Sequence, residues 1–94
     1  MQTINIDFKN ATILVVDDKI ENLDVLIAYL EEFGFTIMVA QNGEEAIELA
    51  QEFPPDIILL DVMMPGIDGF ETCHRLKENE RSESVPVLFM TALT

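Results

Sequence analysis

The sequence predicts one α/β domain built on a doubly wound parallel sheet. Four short apolar runs are rich in β-branched or aromatic residues, which favours strands, and the segments between them carry apolar residues at three- and four-residue spacing. Strands that alternate with helices in this way are typical of parallel pairing, because each connection has to return along the sheet. A length of 94 residues suits one domain with a modest core.

The four predicted strands differ in how continuously apolar they are. They are residues 12–16, 35–40, 57–60 and 87–90. The stretches 13–16 and 57–60 are apolar throughout, as expected of strands covered on both faces, so we place strands 1 and 3 at the centre. Thr36 interrupts the second run, which fits an edge strand. The predicted strand order is 2-1-3-4, with the switch point between strands 1 and 3.

The helices are predicted from their start and stop signals. Asp18, Asn42 and Asp68 each stand three residues before a glutamate, in the pattern of a capping box. Gly34 is predicted to end the first helix, and the Pro54-Pro55 pair the second. Apolar residues at helical spacing are expected to face the core: Leu23, Leu26, Ile27, Leu30 and Phe33 in the first helix, Ala46, Leu49, Ala50 and Phe53 in the second, and Phe70, Cys73 and Leu76 in the third.

The charge balance limits the kinds of partner. Eighteen acidic against five basic residues give a net charge of −13, which argues against direct nucleic-acid binding, since that depends on clustered Lys and Arg. A cation or a basic patch on another protein suits this surface, although the charge could equally serve only solubility. No apolar run approaches the ~18 residues of a membrane span. The single cysteine, Cys73, excludes an internal disulfide and indicates a reducing compartment, so we expect a cytoplasmic domain.

The first ten residues are set apart from the domain at 11–94. They have no basic flank and do not resemble a secretory signal. Residues 3–8 alternate polar and apolar types. We interpret residues 1–10 as a leader or linker remnant, with an added edge strand as the alternative.

Three acids are predicted to meet at the carboxyl edge of the sheet. Asp17 and Asp18 follow strand 1, and Asp61 follows strand 3. Ligands of open parallel sheets bind at the switch point, and neighbouring strands lie only ~4.8 Å apart. Two like charges at 4 Å repel by ~4 kcal/mol at an effective dielectric of 20. The cluster must therefore protonate one member, take up a cation or remain well solvated.

The donor set at this edge contains only oxygens, which favours Mg²⁺ or Mn²⁺ over zinc. A metal beside a strand-end carboxylate suggests phosphoryl chemistry with Asp61 as the nucleophile. Thr91 and the small Ala92 end strand 4, and there the Thr91 hydroxyl could bond a phosphoryl oxygen. Simpler roles stay open: Asp18 could cap the first helix, Asp17 could be a solvated strand end, and Thr91 an ordinary strand-end residue.

Three motifs together resemble the receiver domain of two-component response regulators, over residues 11–94. They are VVDD at 15–18, LLDVMMPGIDG at 59–69 and MTA at 90–92. The resemblance implies a flavodoxin-like fold, a cytoplasmic signalling role without further enzymatic activity, and phosphorylation of Asp61 by a sensor histidine kinase or phosphotransfer protein.

The resemblance also assigns roles to single residues. It implies that Asp18, Asp61 and the backbone carbonyl of Met63 bind Mg²⁺ directly and that Asp17 acts through a water. Thr91, beside Ala92, would contact the phosphoryl group and carry the switch. Pro65 and Gly66 would shape the loop, and Gly69 would let the third helix begin close to the strand.

Members of this family continue past the switch threonine into a fifth strand, flanked by helices and ending in a phosphoryl-binding lysine. None of the five basic residues here follows a strand that could place it there: Lys9, Lys19, Arg75, Lys77 and Arg81. We therefore interpret the chain as a C-terminally truncated receiver, expected to self-associate through the open edge of strand 4 and an under-covered sheet face. The alternative function is a non-phosphorylated docking or dimerisation module. An aspartyl phosphatase is disfavoured, because Met63 stands where such enzymes carry a second acid.

Overall fold

In the computed structural model, residues 10–90 are described, and they form four strands and three α-helices in alternation. The strands are β1 (Thr12–Val16), β2 (Thr36–Ala40), β3 (Ile57–Asp61) and β4 (Val87–Met90). The helices are α1 (Asp24–Glu32), α2 (Gly43–Glu52) and α3 (Gly69–Lys77), with a short 3-10 turn at Ile20–Leu23 before α1.

The sheet is parallel throughout, and its order is β2-β1-β3-β4. This confirms the predicted fold class, the central β1–β3 pair and the edge position of β2. Val16 lies opposite Ala40 in β2 and Leu60 in β3, so β1 and β3 end at nearly the same level. The residues that follow these two strands are therefore delivered to one edge of the sheet.

The main core lies between the sheet and the pair α2–α3. Buried side chains of the central strands pack there against small residues of α2 and against α3: Leu14, Val16, Ala40, Ala46, Ala50, Ile58, Leu60, Met64, Leu76 and Val85. Ala46 and Ala50 are fully buried, and such small residues let α2 approach the strands closely. Cys73 is half-buried and packs against this cluster.

The α1 side of the fold is less well covered. None of the residues Asp24–Glu32 of α1 is buried, although Ile13 and Val15 of β1 are. Leu88 of β4 is 53% exposed, and Leu59, its partner in the register, is only half-buried. Within residues 10–90, the sheet therefore presents incompletely covered apolar surface over β3 and β4.

Two of the three predicted helix caps are present. The side chains of Asn42 and Asp68 accept hydrogen bonds from the N–H groups three residues later, at Glu45 and Glu71, both at 2.8 Å. The predicted cap at Asp18 is wrong: the 3-10 turn begins after Lys19 without a side-chain cap. The physical reason is that Asp17 Oδ1 accepts from the Lys19 N–H at 2.7 Å, which turns the chain before a helix can start.

The helix ends follow the predicted stop signals, but three aromatic side chains do not face the core. Gly34 has a φ of 95°, a conformation that favours glycine, and the α2 helix stops before Pro54. Phe33 and Phe53 occupy the C-cap positions, where the chain leaves the helical path, and both are more than half exposed. Phe70, in the first turn of α3, is 60% exposed. The predicted burial of these three rings is wrong.

The connection from α3 to β4 is held by side-chain bonds to backbone carbonyls. Lys77 Nζ donates to the carbonyls of Val85 at 2.6 Å and Glu83 at 3.1 Å. The buried Ser82 hydroxyl donates to the carbonyl of Leu76 at 2.6 Å. These bonds hold the loop after α3 in place, and they fix where β4 begins.

Some predictions fall on residues outside the described range. The leader or edge strand predicted for residues 1–10 falls almost wholly within residues 1–9, and Thr91 and Ala92 lie beyond residue 90, so these predictions stay predictions. Among the helices at 10–90, none has both the length and the apolar character needed to cross a bilayer.

The central strands are predicted to carry most of the stability. Leu14 is fully buried in β1, so replacing it with alanine should lower the free energy of unfolding by ~2–5 kcal/mol, through lost burial and a residual cavity. The matched control is Leu88→Ala on the edge strand, where a half-exposed side chain should cost less than about 1 kcal/mol. Urea unfolding of both variants measures the difference, and equal losses would contradict this distribution of the core.

Candidate functional site

Asp61 is the last residue of β3 and, among residues 10–90, the single acidic residue that is buried. Its residue is 7% exposed, and it follows the fully buried Leu60. Burying a carboxylate is costly unless it has partners, so this placement demands a compensating interaction. The protein partner for its side chain is the backbone N–H of Met63, which donates to Asp61 Oδ1 at 3.2 Å.

The other two predicted acids lie beside it. Asp17 and Asp18 follow β1 directly, and each offers a carboxylate oxygen so that these atoms and one of Asp61 all lie within 4.8 Å of one another. The Asp17 backbone N–H donates to the Ala40 carbonyl at 3.1 Å, which continues the β1–β2 ladder up to the site. The structure thus brings together the three acids that the sequence placed at the switch point.

The pKa of Asp61 is raised above its ordinary value of 3.8. The largest cause is desolvation of the buried carboxyl group, and the charges of Asp17 and Asp18 act in the same direction. The backbone N–H groups of Met63 and Val62 act in the opposite direction, because they stabilise the ionised form. The ionised cluster is therefore under electrostatic strain that a cation would relieve.

The loop after β3 is shaped by two glycines. Gly69 begins α3 so close to the strand end that a Cβ there would overlap the carbonyl oxygen of Asp61 and lie 2.8 Å from the Cα of Val62. The Gly69 N–H donates to the Val62 carbonyl at 2.9 Å, which closes the loop. Gly66, after Pro65, has a φ of 78°, which residues with a side chain rarely adopt.

The rim of the site is apolar and open. Next to Asp61 the loop forms a depression of about 400 Å³ lined by Val62, Met63, Met64, Pro65 and Asp68. The Met63 side chain is 80% exposed, whereas that of Met64 belongs to the core. Phe70 lies over Phe89 of β4 with ring centroids 5.1 Å apart, and both rings remain substantially exposed. The acids thus lie beside surface suited to contact with another molecule.

The donor set fits a hard divalent cation. The three carboxylates that converge here offer only oxygen atoms, and one of them is buried and raised in pKa. Magnesium and manganese prefer such ligands, whereas zinc favours nitrogen and sulfur. Asp17, Asp18 and Asp61 could hold such an ion.

Sequence reasoning placed the acids together but missed the ring pair. Phe70 and Phe89 were assigned to a helix and a strand separately, and nothing in their spacing indicated that they would meet. The bond from Lys19 N–H to Asp17 was also missed, although an Asp two residues before a free N–H at a strand end is a recognised turn signal.

A scan against family models matches residues 13–94 to the response regulator receiver domain. The chain belongs to the response regulator receiver family. The curated relatives agree: response regulator PleD of Caulobacter vibrioides is 45% identical over 84 residues, 89% of this chain and 18% of that protein. The transcriptional regulator RpaA of Synechocystis is 41% identical over 81 residues, 86% of this chain and 34% of that protein.

Solved receiver structures share the fold. The N-terminal domain of a response regulator receiver protein from Methanoculleus marisnigri matches with a TM-score of 0.83 and 44% identity, over 89% of this chain and 70% of that one. The chemotaxis protein CheY4 of Vibrio cholerae matches with a TM-score of 0.81 and 32% identity, over 89% of this chain and 70% of that one. The chain spans 18% of the length of PleD and 34% of the length of RpaA.

The raised pKa of Asp61 predicts how the stability of the metal-free receiver depends on pH. Since the folded state binds the proton more tightly than the unfolded state, the ionised carboxyl destabilises the fold, and stability falls as the pH rises from about 3.8 through the raised pKa. Asp61→Asn should therefore be more stable than wild type at pH 7, with an advantage that shrinks as the pH falls towards 3.8.

The control for this experiment is Asp24→Asn, which removes the same charge at an exposed position in the first turn of α1. It should give no gain, because that carboxylate is solvated and faces the positive end of the helix dipole. Thermal unfolding without divalent cations measures both variants. A wild type that is as stable as Asp61→Asn at pH 7 would contradict the desolvation of Asp61.

Proposed function

We propose that this receiver domain accepts a phosphoryl group on Asp61 from a phosphohistidine of a sensor histidine kinase or phosphotransfer protein. The observation that carries the proposal is the convergence of the buried Asp61 with Asp17 and Asp18 within 4.8 Å at the switch point. Two-component signalling by receiver domains is the family's role. The proposed partner is therefore a protein that carries a phosphohistidine.

The transfer is a displacement at phosphorus. An ionised oxygen of Asp61 forms the new O–P bond while the N–P bond of the phosphohistidine breaks, and the imidazole nitrogen keeps the electron pair and takes up a proton. Desolvation makes the Asp61 oxygen a stronger nucleophile, while the Met63 N–H holds one carboxylate oxygen in place. The open depression beside the loop leaves room for the donor to approach.

We propose that Asp18 and Asp61 bind Mg²⁺ or Mn²⁺ directly, with the backbone carbonyl of Met63 as a third ligand, and that Asp17 acts through a metal-bound water. When bound, the ion neutralises charge on the acids and on the transferred group. The buried position of Asp61 and the all-oxygen donor set support this assignment.

Supporting roles are proposed for the flanking residues. Pro65 and Gly66 shape the rim, and Gly69 keeps α3 against the strand end, in line with its tight approach to Asp61. Thr91 is proposed to hydrogen-bond the phosphoryl group, with Ala92 leaving space for it. The proposed compartment is the cytoplasm, which fits a single cysteine, Cys73, with no partner for an intrachain disulfide.

Phosphorylation is tested by incubating the chain with Mg²⁺ and a small-molecule phosphodonor and measuring the intact mass. Wild type should gain one phosphoryl group, and Asp61→Asn should gain none. Asp18→Asn should weaken Mg²⁺ binding about tenfold or more, since the loss of even an outer partner of a metal site has an effect of that order.

Asp56→Asn serves as the matched control, because Asp56 is an exposed acid at the opposite end of β3 and should leave both reactions unchanged. A wild type that stays unmodified while it binds Mg²⁺ would overturn phosphoacceptance. That outcome would favour the alternative function, a docking or dimerisation module that uses the receiver scaffold without phosphorylation.

A self-associating surface is the second part of the proposal. The half-exposed Leu88, next to the half-buried Leu59, lies on the poorly covered side of the sheet, and β4 is an edge strand within residues 10–90. Such an edge offers unpaired backbone groups and apolar area to a second copy. The net charge of −13 opposes association, so we expect dimers to strengthen with salt.

Analytical ultracentrifugation over a concentration series tests self-association. Leu88→Glu should raise the dimer dissociation constant about tenfold or more, through lost apolar burial and added repulsion. The control is Phe53→Glu, which introduces the same charge in place of a ring that is 57% exposed at the end of α2. It should leave the dimer dissociation constant near the wild-type value. A stable monomer at high concentration in high salt would overturn the proposed self-association.

A further inference from the structure

The ring pair Phe70–Phe89 is an exposed apolar contact between α3 and β4, close to the proposed phosphoacceptor. Phe70 is the second residue of α3, and Phe89 is the penultimate residue of β4. Their centroids are 5.1 Å apart with the rings tilted by 51°. Such pairs prefer particular relative orientations, so a small movement of either backbone changes the contact.

The backbone of Val62 connects Asp61 to both rings. The Val62 N–H donates to the carbonyl of Met90, the neighbour of Phe89, at 3.3 Å. The Val62 carbonyl accepts at 2.9 Å from the N–H of Gly69, the neighbour of Phe70. One peptide segment beside the phosphoacceptor is therefore bonded to the residue adjoining each ring.

Three features make this connection sensitive to the state of Asp61. The bond from Met63 N–H to Asp61 Oδ1 ties the same loop to the carboxylate that would become an acyl phosphate, so a phosphoryl group changes an acceptor that the loop uses. The close approach of Gly69 to the Asp61 carbonyl leaves no slack, so any shift of the strand end displaces the start of α3. The 3.3 Å bond at Val62 is longer than an ordinary N–H···O bond, which makes the β4 contact the easier one to change.

We infer that phosphorylation of Asp61 changes the packing and exposure of the Phe70–Phe89 pair through the backbone of Val62, so that this ring pair is a phosphorylation-dependent surface of the receiver. The inference rests on the proposed phosphoacceptor function. The pair lies on the side of the sheet that α3 covers, so it is distinct from the Leu59–Leu88 surface proposed for self-association. In equilibrium terms, the modification biases two arrangements of the rings.

The test uses protein labelled with fluorophenylalanine at its six phenylalanines and followed by fluorine NMR. Phe70→Leu, Phe89→Leu and Phe53→Leu assign the relevant signals. With Mg²⁺ and a small-molecule phosphodonor, the Phe70 and Phe89 signals should shift in wild type and stay in place in Asp61→Asn. Phe53 is similarly exposed but lies at the end of α2, so its signal should not move.

Intact mass measured on the same samples separates the two ideas. A phosphorylated protein in which either ring signal stays unchanged overturns the coupling and leaves phosphoacceptance intact. A protein that gains no mass overturns phosphoacceptance, and the coupling with it. Shifts that also occur in Asp61→Asn overturn the coupling too, because they would then come from metal binding alone.

A second measurement uses the reciprocity of coupling between two sites. It gives a result that a through-space effect of the added charge on the fluorine signals would not produce. If Asp61 and the rings are coupled, then disturbing the rings must change binding at Asp61 by the same free energy. Phe89→Leu and Phe70→Leu should each change the affinity for Mg²⁺ with trifluoroberyllate, a non-covalent phosphoryl mimic, by at least about threefold. Phe53→Leu should leave it unchanged. If Phe70→Leu and Phe89→Leu bind the mimic with the wild-type affinity, as Phe53→Leu should, the inference is overturned.

Discussion

The repulsion among three carboxylates at one edge of a parallel sheet is the constraint around which this receiver is arranged. Strand order 2-1-3-4 ends β1 and β3 side by side, and Asp17, Asp18 and Asp61 then meet within 4.8 Å. Asp61 cannot avoid the other two, because moving it by one residue would break the register of β3 with β1 and β4 and exchange its side chains between the two faces of the sheet. The core that stabilises the strand therefore also holds the charges together.

The sequence alone was sufficient to predict the strand order and the acid cluster, because both follow from the apolar pattern of the strands and from the position of the acids after them. The unbroken apolar stretches at 13–16 and 57–60 identify strands buried on two faces, and the first acid after each must emerge at the carboxyl edge. Asn42 and Asp68 were also predictable, since a helix needs an acceptor for its first N–H groups wherever it starts. These features depend on local chemistry and on one rule of sheet topology.

The features that the sequence did not predict depend on how the helices pack against the sheet. Helical spacing identified the apolar stripe of α1 but not how deeply that stripe is covered, and α1 proves to have no buried residue over Asp24–Glu32. Phe33 and Phe53 continue the helical spacing in the sequence, but they occupy C-cap positions, where the backbone has already left the helix. The meeting of Phe70 with Phe89 depends on the angle at which α3 returns to β4, which no local pattern records.

The side-chain bonds at the start of β4 have a mechanical consequence. Lys77 and Ser82 clamp the chain that leads into the strand, with bonds of 2.6 Å to the carbonyls of Val85 and Leu76. At the other end, beside the acids, the bond from Val62 to Met90 measures 3.3 Å. Strand β4 is thus fastened at its far end and compliant at its near end. A strand attached in this way moves most easily at the end that lies beside the three acids.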